Sequence, residues 1–127
     1  MTPAQDIARL LQDEGHGVVA TDIFVGTEPD APSNCTTVYD LPGGEVDTDE
    51  ADVFSPTFQV RTRNLSYVSG YTLLSAMRDT LSSKLQYLGA SGKRYYSFHT
   101  TVDVAPLARD DNDRYIFVAS FRTIYQE

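Results

Sequence analysis

Ser97, His99 and Asp103 are the residues whose types could support catalysis, because a serine, a histidine and a carboxylate make up a hydrolytic triad. They fall in a segment of alternating polar and apolar residues, 95–104, which predicts a strand with Ser97 and His99 on one face. Neighbours on one face are about 7 Å apart along a strand, whereas a serine needs its base within about 3 Å. The pattern therefore favours a histidine on a sheet surface. A small enzyme or ligand-binding domain using this face stays open as an alternative.

The other candidate nucleophile and metal ligands are few. His16 lies between two glycines after a predicted helix, where an exposed loop residue is expected. Cys35 is the only cysteine, and its sequence neighbours are acidic or neutral, which indicates an incidental thiol in a reducing compartment. One cysteine and two histidines cannot complete a known zinc spacing. No metal and no cofactor is expected.

An acidic segment, 45–52, contains five carboxylates in eight positions and no base: Glu45, Asp47, Asp49, Glu50 and Asp52. An EF-hand count started at Asp47 places Ala51 at position five and Asp52 where a glycine is required. Regular calcium binding is therefore not expected. A solvated loop, an irregular calcium site and a surface whose charge repels another molecule remain as the three interpretations.

Charge is divided unevenly along the chain of 127 residues. The first sixty residues carry one base, Arg9, against twelve acids, and the other sixty-seven carry nine bases against six acids. The net charge of −8 argues against tight binding of bare DNA or RNA, which depends on basic groups. If the two halves lie on different faces, the acidic side of one copy could meet the basic side of another.

The pattern of apolar residues predicts one α+β domain over residues 1–127. A capping box of Thr2 and Gln5, with Pro3 at the first helical position, begins a first helix that Gly15 and Gly17 end. A second helix is predicted over 68–88 from apolar residues three and four positions apart: Leu74, Met77, Leu81, Leu85 and Leu88.

Strands are predicted at 58–63, 95–104 and 115–125, and 41–55 is expected to be a loop. The first of these strands should bury Phe58 and Val60 and turn Arg61 and Arg63 outward. The second should place four apolar side chains on one face: Tyr96, Phe98, Val102 and Val104. A mostly antiparallel sheet with both helices packed on one face is the simplest arrangement.

The sequence contains no apolar run long enough to span a membrane, and its first residues lack the pattern of a secretion signal. We therefore expect a protein that is made in the cytoplasm of its cell and has no membrane partner.

Three blocks of sequence carry a likeness to a known family. The first block comprises 23–26, Pro29, Pro32, 38–40 and 42–44. The second is 56–63, followed by Tyr71. The third comprises 106–107 and 110–114. Together they resemble a family of bacteriophage minor capsid proteins, and the members of that family are similar to tail terminator proteins. Ala108 and Asp113 depart from the pattern, since glycine is expected at both positions.

The resemblance implies a non-enzymatic virion protein of a long-tailed phage, made in the bacterial host. Such subunits form a hexameric ring on the tail tube, end its growth and join it to the head. The implied partners are other copies, the tail tube protein and a head-completion or neck protein, while genome DNA passes without specific binding. A head-completion or neck connector is the closest alternative function.

The resemblance also gives the charged residues expected roles. Glu45, Asp47, Asp49, Glu50 and Asp52 would face the channel or the tube surface, where negative charge keeps DNA from adhering. Arg61, Arg63 or Arg94 would contact an acidic patch on the adjacent copy.

Overall fold

The computed structural model describes residues 1–46 and 53–127, with the backbone alone for 43–46. Among these residues the elements follow the order α1 (Pro3–Asp13), β1 (Ile23–Val25), β2 (Cys35–Val46), β3 (Val53–Asn64), α2 (Tyr67–Ser83), β4 (Tyr87–Leu88), β5 (Arg94–Arg109) and β6 (Tyr115–Gln126). The strands form one sheet in the order β1-β2-β3-β6-β5-β4. Only β1 runs parallel to its neighbour. The predicted α+β class with a mostly antiparallel sheet is confirmed.

Helix α1 forms where its local signals place it. The Thr2 hydroxyl accepts a hydrogen bond from the Gln5 amide at 3.4 Å, and the Gln5 side chain accepts one from the Thr2 amide at 2.7 Å. The buried face includes the predicted stripe of Ala4, Ile7, Leu10 and Leu11. This stripe packs onto the sheet, so the capping box sets both the start and the rotation of the helix.

Helix α2 is shorter than the sequence predicts. Leu74, Met77 and Leu81 are buried, but Leu85 and Leu88 lie beyond the helix and are 74% and 61% exposed. Lys84 adopts an extended conformation, and Leu88 then pairs with Arg94 in the β4–β5 ladder. The last two leucines continue the helical spacing without belonging to the helix, because pairing with β5 replaces the last helical turn.

Strand β5 does not keep the predicted alternation. Tyr95 and Phe98 are both buried and Tyr96 is exposed, because the register shifts between Tyr95 and Ser97. An extra residue in one strand turns the following side chains to the opposite face. Val102 is also exposed, opposite Ser120. The prediction that Tyr96 and Val102 share a face with Phe98 is wrong.

The predicted loop over 41–55 is also too long, because β2 continues to Val46 and β3 begins at Val53. Its central residues, 47–52, are outside the described part of the chain.

The core lies between the two helices and the inner face of the sheet. Phe58 stacks on Phe121 with ring centroids 5.2 Å apart, and Phe98 stacks on Tyr95 at 5.6 Å. Large aromatic side chains bury the most apolar area per residue and hold specific ring geometries. The opposite, outer face of the sheet carries Arg61, His99 and Arg122. Neither described helix is long and apolar enough to cross a bilayer.

Candidate interaction surfaces

The serine and histidine of the possible triad do meet, against expectation. The Ser97 hydroxyl and His99 Nε2 are 3.2 Å apart, since the two side chains lean toward each other along the strand. Asp103, however, accepts a hydrogen bond of 2.7 Å from Arg78 on α2, and this contact holds the pKa of Asp103 below its usual range. His99 is exposed. The carboxylate that a triad needs behind its histidine is therefore engaged elsewhere.

His16 and Cys35 line one small cavity of about 70 Å³, together with the polar groups of Asp22, Asn34 and Asn64. His16 is half-buried and its Nε2 lies 2.7 Å from the Thr80 hydroxyl, so the expected exposed loop position is wrong. Burial raises the pKa of the Cys35 thiol, although Arg63 opposes the rise. A thiol with a raised pKa is a poor nucleophile. His16 thus connects the end of α1 to α2.

Arg63 is turned away from the core as predicted but is not on the surface. Its guanidinium is buried under the loop between β1 and β2 and donates hydrogen bonds to that loop. The acceptors are Glu28 Oε1 at 3.1 Å, Asp30 O at 3.3 Å, Pro32 O at 2.7 Å and Ser33 O at 3.2 Å. With a side chain only 3% exposed, Arg63 is not available to a neighbouring molecule.

Arg114 also holds this loop. It donates to the Asp30 carbonyl at 2.6 Å and to the Asp110 carboxylate at 2.7 Å. Two buried arginines therefore order the loop, and their bidentate geometry suits carbonyl and carboxylate oxygens. No local sequence pattern predicts these contacts, because the loop and the arginines lie thirty or more residues apart.

Of the other two candidate interface arginines, Arg61 lies over the Tyr39 ring at 5.4 Å, with Glu28 3.9 Å away. Arg94 begins β5 and is exposed, and it forms no ion pair with another described residue. The backbone of Gln126 on β6 lies opposite both Arg94 and Val53, the first residue of β3. Arg94 is thus at the end of the sheet from which the acidic segment departs.

The acidic segment itself is only partly described. Glu45 belongs to β2 and its backbone lies opposite Ser55. Asp47, Asp49, Glu50 and Asp52 lie outside the described residues. The strands on either side of this segment, β2 and β3, form an antiparallel pair.

An exposed apolar surface surrounds the start of α2, and we call it the aromatic knob: Leu65, Tyr67, Val68 and Tyr71. The Tyr67 ring packs edge-on against Tyr115 at 5.4 Å and Phe117 at 4.9 Å, so its position is fixed. Exposed apolar side chains grouped in this way are a candidate site of protein contact. The sequence did not predict this surface, because the apolar stripe that defined the second helix begins only at Leu74.

A concave apolar surface lies between α1 and β1, and we call it the α1–β1 groove. Its volume is about 280 Å³, and its lining is Met1, Gln5, Ala8, Arg9, Val19, Ala20, Ile23, Phe24 and Val25. Aliphatic and aromatic side chains dominate this lining, with Arg9 and Gln5 as its polar members. Such a groove can accept an apolar side chain from another molecule.

Comparison with known proteins gives one family match. Residues 10–127 match the family model described as "Bacteriophage tail terminator protein". No curated protein matches the chain. Among solved structures, a chain of "Virion of native gene transfer agent (GTA) particle" is similar, with a TM-score of 0.54 at 13% identity, over 95% of this chain and 84% of that one. At this identity the likeness concerns the fold.

Proposed function

Because the chain belongs to the bacteriophage tail terminator family, and is therefore a structural protein of a phage tail, we propose that its copies form a hexameric ring at the head-proximal end of the tail tube. The ring ends tube growth and provides the surface to which the head is joined. The observation that carries the proposal is the extent of the family match, since residues 10–127 include α2 and every described strand.

Charge distribution supports assembly from identical copies. The acidic first half and the more basic second half would make each subunit electrically asymmetric, and complementary patches orient association. We assign Arg61 and Arg94 to contact with an acidic patch of the adjacent copy. Arg63 is not included, because its guanidinium is bonded to the β1–β2 loop of its own chain.

The acidic segment has a role in this proposal. Glu45, Asp47, Asp49, Glu50 and Asp52 would face the channel or the tube surface, where fixed negative charge lowers the attraction for phosphate. DNA then passes without specific binding. The tail tube protein and a head-completion or neck protein would be the other partners, and the ring would be part of the virion after synthesis in the bacterial cytoplasm.

Catalysis at His99 receives no support from the geometry of the described residues. Asp103 is bonded to Arg78 and His99 lies on an exposed strand surface, so no carboxylate in the described part of the chain orients the imidazole. Membership of a structural family favours the same conclusion.

The experiment that tests the proposed function uses tail tubes assembled without a terminator. Adding the purified protein should cap one end of each tube, visible as a ring in electron micrographs, and should prevent further addition of tube subunits. Isolated portal complexes serve as the comparison. Binding to portals with no effect on tubes would instead identify a head-completion or neck protein.

A further inference from the structure

We propose that the aromatic knob of one copy inserts into the α1–β1 groove of an adjacent copy. This interface rests on the ring assembly proposed above and identifies two surfaces that meet in it. The partner is thus a second copy of this chain. The proposal draws on the shape, polarity and charge of the two surfaces.

The knob has the properties of a preorganised anchor. Val68 and Tyr67 are 71% and 50% exposed, yet the Tyr67 ring is held against Phe117 at 4.9 Å. A side chain that is already fixed loses little conformational freedom on binding. Residues 64–77 contain no charged side chain, so an apolar partner surface suits them best. Tyrosine is also among the residue types enriched at interface centres.

The groove offers a surface of the matching kind on a different part of the molecule. Val19, Phe24 and Val25 are partly exposed and supply apolar walls, and the volume of about 280 Å³ leaves room for large side chains. Knob and groove have no residue in common. One copy can therefore donate its knob and receive another at the same time, which is the condition for a head-to-tail ring.

Opposite charges near the two surfaces would favour one direction of the contact, since the turn 110–113 leads to Tyr115, whose ring contacts Tyr67 of the knob. Arg9, the only base in the first sixty residues, lies on the groove wall and forms no ion pair with any described residue. In the turn that leads to Tyr115, Asp110 and Asp113 pair with arginines at 2.7 Å and 2.8 Å, whereas Asp111 is exposed and has no such partner among the described residues. Arg9 of one copy and Asp111 of the next would complement each other.

Disulfide cross-linking tests the geometry directly. In a Cys35→Ser background, Val68→Cys and Val19→Cys are made as separate variants, mixed, and oxidised. The mixture should yield a linked dimer that neither variant forms alone. The variant with both substitutions should give a ladder of linked oligomers. A linked dimer from Val68→Cys alone would show knob-to-knob pairing and overturn the inference.

A second variant set follows self-association by sedimentation velocity. Val68→Asp should weaken association by about tenfold or more. Val102→Asp, the same change at an exposed valine outside both surfaces, should leave it nearly unchanged. Arg9→Asp and Asp111→Arg should each weaken assembly, and the double variant should recover it. Equal effects of the two valine substitutions, without loss of monomer stability, would contradict the inference.

The outcomes separate this inference from the proposed function. If the unmodified protein caps tail tubes but positions 68 and 19 do not cross-link on them, the interface is wrong and the ring proposal survives. If the unmodified protein forms no ring either in solution or on tubes, both are wrong.

Discussion

The phenolic hydroxyl of Tyr95 donates a hydrogen bond of 2.6 Å to the carboxylate of Asp6, and both side chains are fully buried. The Asp6 carboxylate also accepts hydrogen bonds from the amide of Ser91, at 3.0 Å, and from its hydroxyl. Burial and the contact with Asp6 raise the pKa of Tyr95. Gly89 packs so closely that a Cβ there would lie 2.8 Å from Asp6 Cγ. This cluster attaches the start of α1 to the β4–β5 turn.

We predict that Tyr95→Phe lowers the free energy of unfolding by about 1–3 kcal/mol, because the buried carboxylate loses a donor that water cannot replace. Tyr96→Phe is the matched control, since it removes the same group from an exposed tyrosine bonded to Gln126. Its cost should stay within about 0.5 kcal/mol. Urea unfolding followed by circular dichroism measures both. Equal decreases in the free energy of unfolding would show that the buried hydrogen bond stabilises the protein no more than the exposed one.

The buried arginine under the β1–β2 loop gives a second prediction. Arg63→Lys keeps the charge but loses the planar fork that reaches Asp30, Pro32 and Ser33, so stability should fall by about 2 kcal/mol. Arg61→Lys should cost less than about 1 kcal/mol, since that side chain is partly exposed. Limited proteolysis should also cut residues 27–34 faster in the first variant. Protection equal to that of the unmodified protein would refute the role given to Arg63.

The parts of the fold that could be predicted from the sequence are those determined by residues close together in the chain. The start and the buried face of α1 could be predicted because the capping box and the apolar stripe involve residues within one or two turns. The end of α2 could not, since strand pairing of Leu88 with Arg94 replaced the last helical turn. In β5, one extra residue after Tyr95 reversed the predicted faces. Only cross-strand register determines such a shift.

The candidate surfaces were harder to predict than the fold. Arg63 was expected at a subunit contact, but a loop thirty residues earlier in the chain covers it. The knob residues have helical spacing, and only the packing of α2 on the sheet determines that Leu74 is buried and Val68 is exposed. The α1–β1 groove requires two elements to come together. Such features depend on tertiary packing and have no local pattern.

Acid should weaken the contact between α2 and β5. Arg78 lowers the pKa of Asp103, so this carboxylate stabilises the folded state above its unfolded pKa of about 3.9, and the contribution is lost as the pH falls through the lower folded value. Asp103→Asn should therefore unfold at a lower temperature than the unmodified protein at pH 7. The difference should vanish in strong acid. The control is Asp13→Asn, at an exposed acid with no ion pair to a described residue. A difference that persists in strong acid would point to another cause.

Charge reversal at Arg94 should weaken self-association in a salt-dependent way. Arg94→Glu replaces an attraction to the acidic patch of a neighbour by repulsion, and added salt screens both. Sedimentation velocity should therefore show a large difference from the unmodified protein in dilute buffer and a small one at about 1 M salt. Lys84→Glu, which breaks an exposed ion pair with Glu14, controls for the change in net charge. If self-association of the two variants depends on salt in the same way, Arg94 does not belong to the proposed interface.

The acidic segment can be tested on assembled rings. Asp49→Asn with Glu50→Gln removes two negative charges, and if the segment lines the channel, short duplex DNA should bind the ring more tightly because repulsion of phosphate is reduced. Asp13→Asn with Asp79→Asn removes the same charge from exposed positions on the two helices. Fluorescence anisotropy of labelled DNA at several salt concentrations measures the affinity of the two double variants for DNA. A gain no greater than that of the control would place the segment away from the path of the DNA, since net charge alone would then explain the effect.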